Sequence, residues 1–292
     1  MPNIEWIHQR SAGVEHTMSP ELAAHPCAFT NARGVFSSSL AEYCMLAIGY
    51  FAKDVMRLNR QKGASLWTKY SVREIKGATL GVIGYGSIGQ ACASLGKAYG
   101  MRVVGVRRDP SLSADDPRID KCYGNDDIAK VFAESDYVVC AAPLTPNTRG
   151  MVTPEAIKSA KEGCVLINLG RGPVIHEGAM IDALKDGTLR GAALDVFDTE
   201  PLPPDHELWK LDNVLISPHN MDQTATFMKE ASEVSKSRIE SGAVSIHLHV
   251  LSKRSSMYCK LAYPCDPPTE LRGSAIASVP CGHVPSLPPQ SS

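Results

Sequence analysis

A glycine-rich stretch at residues 79–90 constrains the fold of this chain more than any other feature. It reads Thr-Leu-Gly-Val-Ile-Gly-Tyr-Gly-Ser-Ile-Gly-Gln, and a helical pattern from Ala91 to Tyr99 follows it. An apolar, β-branched run that enters a glycine-rich turn and leaves as a helix is typical of a strand, a phosphate-binding turn and a helix. The stretch therefore predicts a dinucleotide site, with a purely structural turn as the alternative.

Each residue of the predicted turn has a role in this interpretation. Gly84 supplies the tight turn, Gly86 lets the backbone approach a pyrophosphate, and Gly89 lets the helix pack close to the strand. Ser87 and Ile88 complete the predicted cofactor-binding residues of the turn, and the N-terminus of the helix that follows presents free N–H groups and partial positive charge to the anion. Three glycines at this spacing are a weak signal alone, since the chain contains 23. The flanking strand and helix patterns provide the confirming context.

Strand and helix patterns alternate along the chain from residue 76 onward. After the turn, strands are predicted at 102–106, 137–142, 164–169, 192–197 and 214–217. This alternation predicts an α/β fold with a doubly wound parallel sheet of the Rossmann type. Ligands of such sheets bind beyond the carboxyl ends of the strands. The residues predicted at that edge are Gly84, Arg107, Pro143, Arg171, Asp195 and His219.

The first 70 residues show shorter patterns. Alternation around Trp6 predicts a strand, residues 29–35 predict another, and Ser19-Pro20-Glu21 predicts a short helix between them. Ser39 and Glu42 have the spacing of a capping box, which predicts a long amphipathic helix reaching Leu58. Residues 61–70 are a polar connection that contains Trp67.

Composition and charge argue against several classes of function. The net charge of −1 offers no basic excess for nucleic acid, and no apolar run approaches the length of a membrane span. The nine cysteines are scattered without a CxxC pair, which favours free thiols in a reduced, cytoplasmic compartment. Near the C-terminus, three cysteines and a histidine match no zinc spacing, so no metal is expected. These residues are Cys259, Cys265, Cys281 and His283.

The end of the second predicted strand bears on cofactor choice. An NAD-selective site presents a carboxylate there, whereas this chain has Arg107 and Arg108, and a carboxylate only at Asp109. Guanidinium groups suit a 2′-phosphate, so NADP(H) is the preferred cofactor and NAD(H) the alternative. A solvated basic loop without a ligand is the other interpretation of the two arginines.

Three further strand ends carry candidate chemistry. Arg171 lies between two glycines and offers a fork for a carboxylate, although a surface arginine would look the same. Asp195 and Glu200 follow the next strand, and His219 follows the one after it. One arginine, two acids and one histidine thus all follow strands at the ligand-binding edge. This grouping favours a catalytic site over four unrelated surface residues.

Together these residues resemble the D-isomer-specific 2-hydroxyacid dehydrogenases, which include glyoxylate/hydroxypyruvate reductases and phosphoglycerate dehydrogenases. The resemblance runs from about residue 6 to residue 233, and its matching segments are 84–89, 142–150, 168–174, 195–202 and 217–219. It implies that Arg171 binds the substrate carboxylate and carbonyl, that His219 is the acid/base, and that Glu200 is its partner. It also implies that Asp195 contacts the nicotinamide side.

The same resemblance extends these roles to further residues. The backbone of Ala12 and Gly13 would hold the substrate carboxylate, while Pro143, Thr148 and Leu169 would contact the cofactor. The implied reaction interconverts a small 2-oxo acid and a D-2-hydroxy acid in a homodimer. A different class stays open, namely a dinucleotide-sensing interaction protein, because the resemblance also covers corepressors.

The resemblance predicts four segments of the chain. Residues 1–36 would be the remnant of a flavodoxin-like substrate lobe, 37–222 a Rossmann dinucleotide-binding domain, 223–240 a helix returning toward that lobe, and 241–292 an irregular tail. Family members carry further strands and helices before the position of Met1, so we expect a truncated, incomplete substrate lobe. The strands starting near Asn3 and Phe29 would then lack partners and leave open edges.

Overall fold

The computed structural model describes residues 4, 6–14 and 17–240, which fall into two compact units. One unit contains residues 4–32 and 230–240, and the other contains residues 33–229. The predicted tail at 241–292, with its cysteine and histidine group, lies outside the described residues. Among the helices of the described segments, none has the length and apolar character needed to cross a bilayer.

The smaller unit is built around two strands. Its elements are β1 (Trp6–Gln9), α1 (Pro20–Ala24) and β2 (Ala28–Asn31). The strands pair in parallel, with Trp6 opposite Ala28. The expectation that these strands lack partners is therefore wrong, because they pair with each other through the crossover that contains α1. The second strand also ends at Asn31 rather than at residue 35.

The larger unit contains a seven-stranded sheet. Its strands are β3 (Thr79–Ile83), β4 (Arg102–Val106), β5 (Lys121–Tyr123), β6 (Tyr137–Cys140), β7 (Val165–Asn168), β8 (Gly191–Leu194) and β9 (Val214–Ile216). All are parallel, in the order β5-β4-β3-β6-β7-β8-β9. The order reverses between β3 and β6, which is where ligands of such sheets bind. The predicted doubly wound parallel fold is confirmed.

Helices flank this sheet. They are α2 (Ser37–Ala52), α3 (Val55–Gly63), α4 (Ser87–Ala98), α5 (Ile128–Glu134), α6 (Pro154–Lys158) and α7 (Glu177–Asp186). A further helix, α8 (Phe227–Glu240), begins in the larger unit, and most of its residues belong to the smaller one. Successive residues of a strand point to opposite faces. Leu80 accordingly lies against Gly96 of α4, while its neighbour Gly81 faces Val131 of α5. Helix α2 packs on α4, and α5, α6 and α7 follow one another on the opposite face.

The helix predicted from Ser39 to Leu58 differs from the structure in two ways. It begins at Ser37 without a side-chain cap, so the predicted capping box is wrong. It is also divided in two, because Asp54 takes a left-handed conformation with φ of 50° and its carboxylate caps α3 by accepting from the backbone N–H of Arg57. The hydroxyl of Ser39, which makes no capping bond, donates to the carbonyl of Met221 instead.

Smaller differences concern short elements. Strand β5 was not predicted, because three residues are too few for a periodic signal. Helix α5 is preceded by a 3-10 turn at Asn125–Asp127 and becomes α-helical at Ile128. Helix α6 begins at Pro154, and the Thr153 hydroxyl caps it by accepting from the backbone N–H of Ala156 at 3.2 Å.

Candidate active site

The glycine-rich turn after β3 has three different local environments. Gly84 has φ of 89°, a conformation that favours glycine, and a Cβ atom there would lie 2.6 Å from the backbone nitrogen of Ala142. A Cβ atom at Gly89 would lie 2.5 Å from the carbonyl oxygen of Gly84. The first glycine therefore makes the turn against the loop after β6, and the third brings α4 close to β3.

Gly86 differs from both neighbours. A Cβ atom there would meet no atom within 4 Å, and its φ is −94°. It is the N-cap residue of α4 and makes no side-chain capping bond, so the backbone N–H groups of Ser87 and Ile88 begin the helix beside open space. First-turn N–H groups and the helix dipole attract anions. This uncapped N-terminus fits a dinucleotide pyrophosphate.

The two arginines after β4 have different surroundings. Arg107 is half-buried, and its guanidinium donates to the carbonyl of Leu112 at 3.2 Å and to the hydroxyl of Ser113 at 2.7 Å. Arg108 is exposed. The carboxylate of Asp109 accepts from the hydroxyl and the N–H of Ser111, at 2.6 and 3.1 Å. Arg107 thus stabilises its own loop.

The loop after β6 is held by one hydroxyl. Thr148 donates to the carbonyl of Pro143 at 2.6 Å and accepts from the backbone N–H of Thr145 at 2.8 Å. Its side chain therefore fixes the shape of the loop opposite the glycine-rich turn. The structure places Pro143 and Thr148 at the switch point, and their predicted contact with a cofactor stays a prediction.

Close packing fixes the segment that carries Arg171. A Cβ atom at Gly170 would lie 2.5 Å from the carbonyl oxygen of Ala142, and one at Gly172 would lie 2.0 Å from the carbonyl carbon of Phe197. Leu169 is buried. Only glycine allows both approaches, so the two glycines hold the Arg171 backbone between the loops after β6 and β8.

Asn168, which had no predicted role, adds two bonds to this segment. Its amide donates to the carbonyl of Arg171 at 3.2 Å and accepts from the N–H of Gly170 at 3.1 Å. The sequence signal for this role is a polar residue, Asn168, at the end of the otherwise apolar strand β7. The guanidinium of Arg171 also donates to the Gly170 carbonyl at 2.7 Å.

His219 and Glu200 form the central pair of the candidate site. Nδ1 of the imidazole lies 2.7 Å from Oε2 of Glu200, and about a third of each side chain is exposed. The other carboxylate oxygen accepts from the backbone N–H of Phe197 at 2.9 Å, which fixes its orientation. Since Nδ1 is engaged, Nε2 is the nitrogen available for proton transfer.

The pair shifts the pKa of both partners in favour of their charged forms. The hydrogen bond and charge of Glu200 raise the pKa of His219, against partial burial and the positive charge of Arg171. Burial acts to raise the pKa of Glu200, but the bonds from His219 and from Phe197 N–H outweigh it and lower the pKa overall. A partly buried imidazolium stabilised by a carboxylate is suited to donate a proton.

Asp195 is buried at the end of β8 and holds the segment that carries His219. Its Oδ1 accepts from the hydroxyl of Ser217 at 2.7 Å and from the backbone N–H of Asn220 at 3.1 Å. Burial raises the pKa of Asp195, and these bonds together with the nearby His219 oppose the rise. The predicted contact of Asp195 with the nicotinamide side stays a prediction.

Two predicted residues lie in the smaller unit, after β1. The carbonyl of Gly13 accepts from Ser11 Oγ at 3.0 Å and from Gln9 Nε2, while the carbonyl of Ala12 accepts from Asn31 Nδ2 at 2.6 Å. The loop is therefore fixed by side chains of its own unit. The role of Ala12 and Gly13 in substrate binding stays a prediction.

The described residues contain no grouping of three or more histidine, cysteine or acidic side chains suited to a metal ion. The cysteines of those residues are free thiols: Cys27, Cys44, Cys92, Cys122, Cys140 and Cys164. Most are buried, and burial raises the pKa of Cys140 to about 11 and that of Cys164 to about 12. Such thiols act as small apolar side chains.

Comparison with known proteins agrees with this geometry. The sequence model described as the NAD binding domain of D-isomer specific 2-hydroxyacid dehydrogenases matches residues 45–220. A glyoxylate reductase of Thermofilum pendens is 30% identical over 241 residues, which cover 80% of this chain and 70% of that protein.

Two solved structures are similar over most of their length. A D-isomer specific 2-hydroxyacid dehydrogenase family protein from Aeromonas salmonicida has a TM-score of 0.73 and 32% identity, covering 81% of this chain and 74% of the other. A D-isomer specific 2-hydroxyacid dehydrogenase from Xanthobacter autotrophicus, in complex with NADPH and MES, has a TM-score of 0.71 and 30% identity, covering 82% and 76%. The chain therefore belongs to the D-isomer-specific 2-hydroxyacid dehydrogenases, a family of NAD(P)-dependent dehydrogenases and reductases.

Proposed function

We propose that this chain reduces a small 2-oxo acid to a D-2-hydroxy acid, or catalyses the reverse oxidation. The observation that carries the proposal is the His219–Glu200 pair, which lies at the same edge of the sheet as the uncapped glycine-rich turn. The glyoxylate reductase activity named for one relative is an example of this reaction class.

His219 acts as the proton donor in this proposal. When bound, the reduced nicotinamide supplies the hydride that reduces the carbonyl carbon of the 2-oxo acid. Glu200 keeps His219 protonated and holds Nδ1, so that Nε2 gives its proton to the developing alkoxide. Proton transfer from a placed side chain accelerates a reaction by roughly 10²–10⁴-fold.

Arg171 binds and orients the substrate. Its guanidinium offers a planar fork for the substrate carboxylate, and its charge acts on both His219 and Glu200. The bonds from Asn168 and the packing of Gly170 and Gly172 fix its backbone before substrate arrives. A cation fixed in this way also polarises the carbonyl without reorganising during the reaction.

The preferred cofactor in this proposal is NADP(H). Asp109 accepts bonds from Ser111, and Arg108 adds an exposed positive charge at the end of β4. The site would thus lack the acid that binds a ribose diol and repels a 2′-phosphate. A charge-assisted contact to the phosphate contributes roughly 1.5–3 kcal/mol, which corresponds to about a ten- to a hundredfold preference. Arg107, committed to Leu112 and Ser113, contributes less.

A homodimer is part of the same proposal. Trp67 is 97% exposed in an irregular segment after α3, and Leu66 and Val72 beside it are exposed as well. The hydroxyl of Tyr70 donates to the carbonyl of Lys53 at 3.0 Å, which ties this segment to the end of α2. Large apolar side chains presented on a fixed segment suit a subunit interface, and a second copy of this chain is the proposed partner. The cytoplasmic location stays a prediction.

Steady-state assays test the proposed activity. Purified protein is mixed with NADPH or NADH and with glyoxylate, hydroxypyruvate or pyruvate, and cofactor oxidation is followed by absorbance. His219→Asn serves as the matched control for contaminating activity. Turnover that disappears in the control supports the enzyme. Tight cofactor binding without turnover on any of the three acids would contradict it and favour a dinucleotide sensor.

A further inference from the structure

The backbone of His219 has an unusual conformation that its neighbours must maintain. Its φ is 51°, in the left-handed region that few non-glycine residues adopt. Such a conformation costs roughly 1–3 kcal/mol and persists only where surrounding bonds over-determine it. The segment 217–221 should therefore be held at several points.

The structure shows three such points. Asp195 binds the Ser217 hydroxyl before the histidine and the Asn220 N–H after it, at 2.7 and 3.1 Å. Further along, the hydroxyl of Ser39 on α2 donates to the carbonyl of Met221. The bonds thus bracket His219 on both sides and tie its segment to β8 and to α2.

Tyr43, also on α2, extends this network inward. Its hydroxyl lies 3.3 Å from Ser217 Oγ, and both side chains are buried. Ser217 has one hydroxyl proton, which goes to the carboxylate of Asp195 because that contact is shorter and charge-assisted. The same hydroxyl also points to the Tyr43 oxygen, so it is shared between a short bond to Asp195 and a longer one to Tyr43. Burial and the nearby Asp195 charge raise the pKa of Tyr43, so that its hydroxyl stays protonated.

We propose that Tyr43 and Ser217 are positioning residues, which form with Asp195 a buried hydrogen-bond chain that fixes the His219 segment for proton transfer. The inference rests on the proposed function for its kinetic consequence only. Ser217 supplies one of the donors that let buried Asp195 keep its charge, and Tyr43 orients that donor. Neither side chain needs to touch substrate or cofactor to affect the rate.

The charged groups that act on His219 are three residues from two loops. Glu200 and Asp195 follow β8, and Arg171 follows β7. The charge of Asp195 supports the imidazolium, although less than Glu200 does. Removal of the Ser217 hydroxyl favours protonation of Asp195, since burial already raises its pKa. The pKa of His219 should then fall, an effect that simple loss of packing would not produce.

The test uses Ser217→Ala, Ser217→Thr and Tyr43→Phe, with Tyr50→Phe on the same helix as the matched control. Because a bond to a charged group is worth more than a neutral one, kcat should fall about tenfold in Ser217→Ala and about threefold in Tyr43→Phe. Ser217→Thr keeps the hydroxyl and should restore most of kcat. The Kd for NADPH should change by less than about twofold in each variant, since no cofactor contact is removed.

A second readout does not depend on turnover. The titration of His219, followed by NMR on protein labelled at histidine Cε1, should shift to lower pH in Ser217→Ala and stay at the parent value in Ser217→Thr and Tyr50→Phe. If the parent turns over none of the three 2-oxo acids, the proposed activity fails while this titration still tests the positioning. If Ser217→Ala does not fold, Tyr43→Phe decides. A parent-like kcat together with a parent-like titration would overturn the inference.

Discussion

Two glycines of the turn after β3, only two residues apart, should respond to the same substitution in opposite ways. Gly84→Ala should destabilise the protein, whereas Gly86→Ala should leave stability intact and weaken cofactor binding. At Gly84 the added Cβ must accept φ of 89° and lie 2.6 Å from the Ala142 backbone. At Gly86 it enters open space at φ of −94°.

The magnitudes follow from these environments. A left-handed alanine costs about 1–2 kcal/mol and overpacking about 1–3 kcal/mol, so Gly84→Ala should lose roughly 2–5 kcal/mol of unfolding free energy. For a unit of this size that corresponds to a fall in Tm of roughly 4–20 °C. Gly86→Ala should stay within about 0.5 kcal/mol of the parent, since nothing there must move. Its Kd for NADPH should rise at least about tenfold, or about 1.4 kcal/mol.

The assay combines urea unfolding with titration of NADPH at one fixed salt concentration. Gly63→Ala at the end of α3 is the matched control, because a Cβ there also enters open space. The control should change neither quantity. If Gly86→Ala binds NADPH as tightly as the parent, the backbone of the turn does not approach the pyrophosphate, and the assignment of this turn as the cofactor site is refuted.

Four further outcomes are expected. His219→Asn should lower kcat by roughly 10²–10⁴-fold with a nearly unchanged Kd for NADPH, and a near-parent kcat would contradict its role as proton donor. Glu200→Gln should lower the pKa of His219, because the negative charge of the carboxylate is lost. The alkaline limb of the pH profile of kcat/KM for reduction should then move to lower pH. An unchanged limb would contradict the role of Glu200. Arg108→Ala should weaken NADPH binding by about ten- to a hundredfold with little effect on NADH, while Arg107→Ala should do less; equal effects would count against the assignment. Trp67→Ser should shift the sedimentation of the chain at micromolar concentration from dimer to monomer, and a parent that is already monomeric would exclude the interface.

The sequence was informative wherever function imposes a local pattern. The glycine-rich turn and the alternation of strands and helices led to the parallel sheet, because both signals lie within a short stretch of chain. Residues at strand ends could be assigned to one edge, since parallel strands share their carboxyl ends. Position at that edge makes Arg171, Glu200 and His219 candidates, and the family resemblance adds their roles.

The sequence was less informative where distant residues decide the outcome. Ser39 has the spacing of a cap, yet its hydroxyl bonds Met221, which is 182 residues away. Ser217 and Tyr43 are 174 residues apart, so their contact has no local signal. The break at Asp54 also escaped prediction, because a left-handed residue inside an amphipathic pattern does not disturb the periodicity.

The two carboxylates near His219, Asp195 and Glu200, have different roles because their environments differ. Asp195 is buried and bonded to backbone and hydroxyl groups, so burial raises its pKa while it holds the segment in place. Glu200 is partly exposed and bonded to the imidazole itself, so its pKa is lowered while it supports the positive charge. The two pKa shifts run in opposite directions, since burial favours the neutral form of Asp195 and the imidazole favours the charged form of Glu200. Backbone geometry and imidazolium charge at His219 are therefore maintained by different carboxylates.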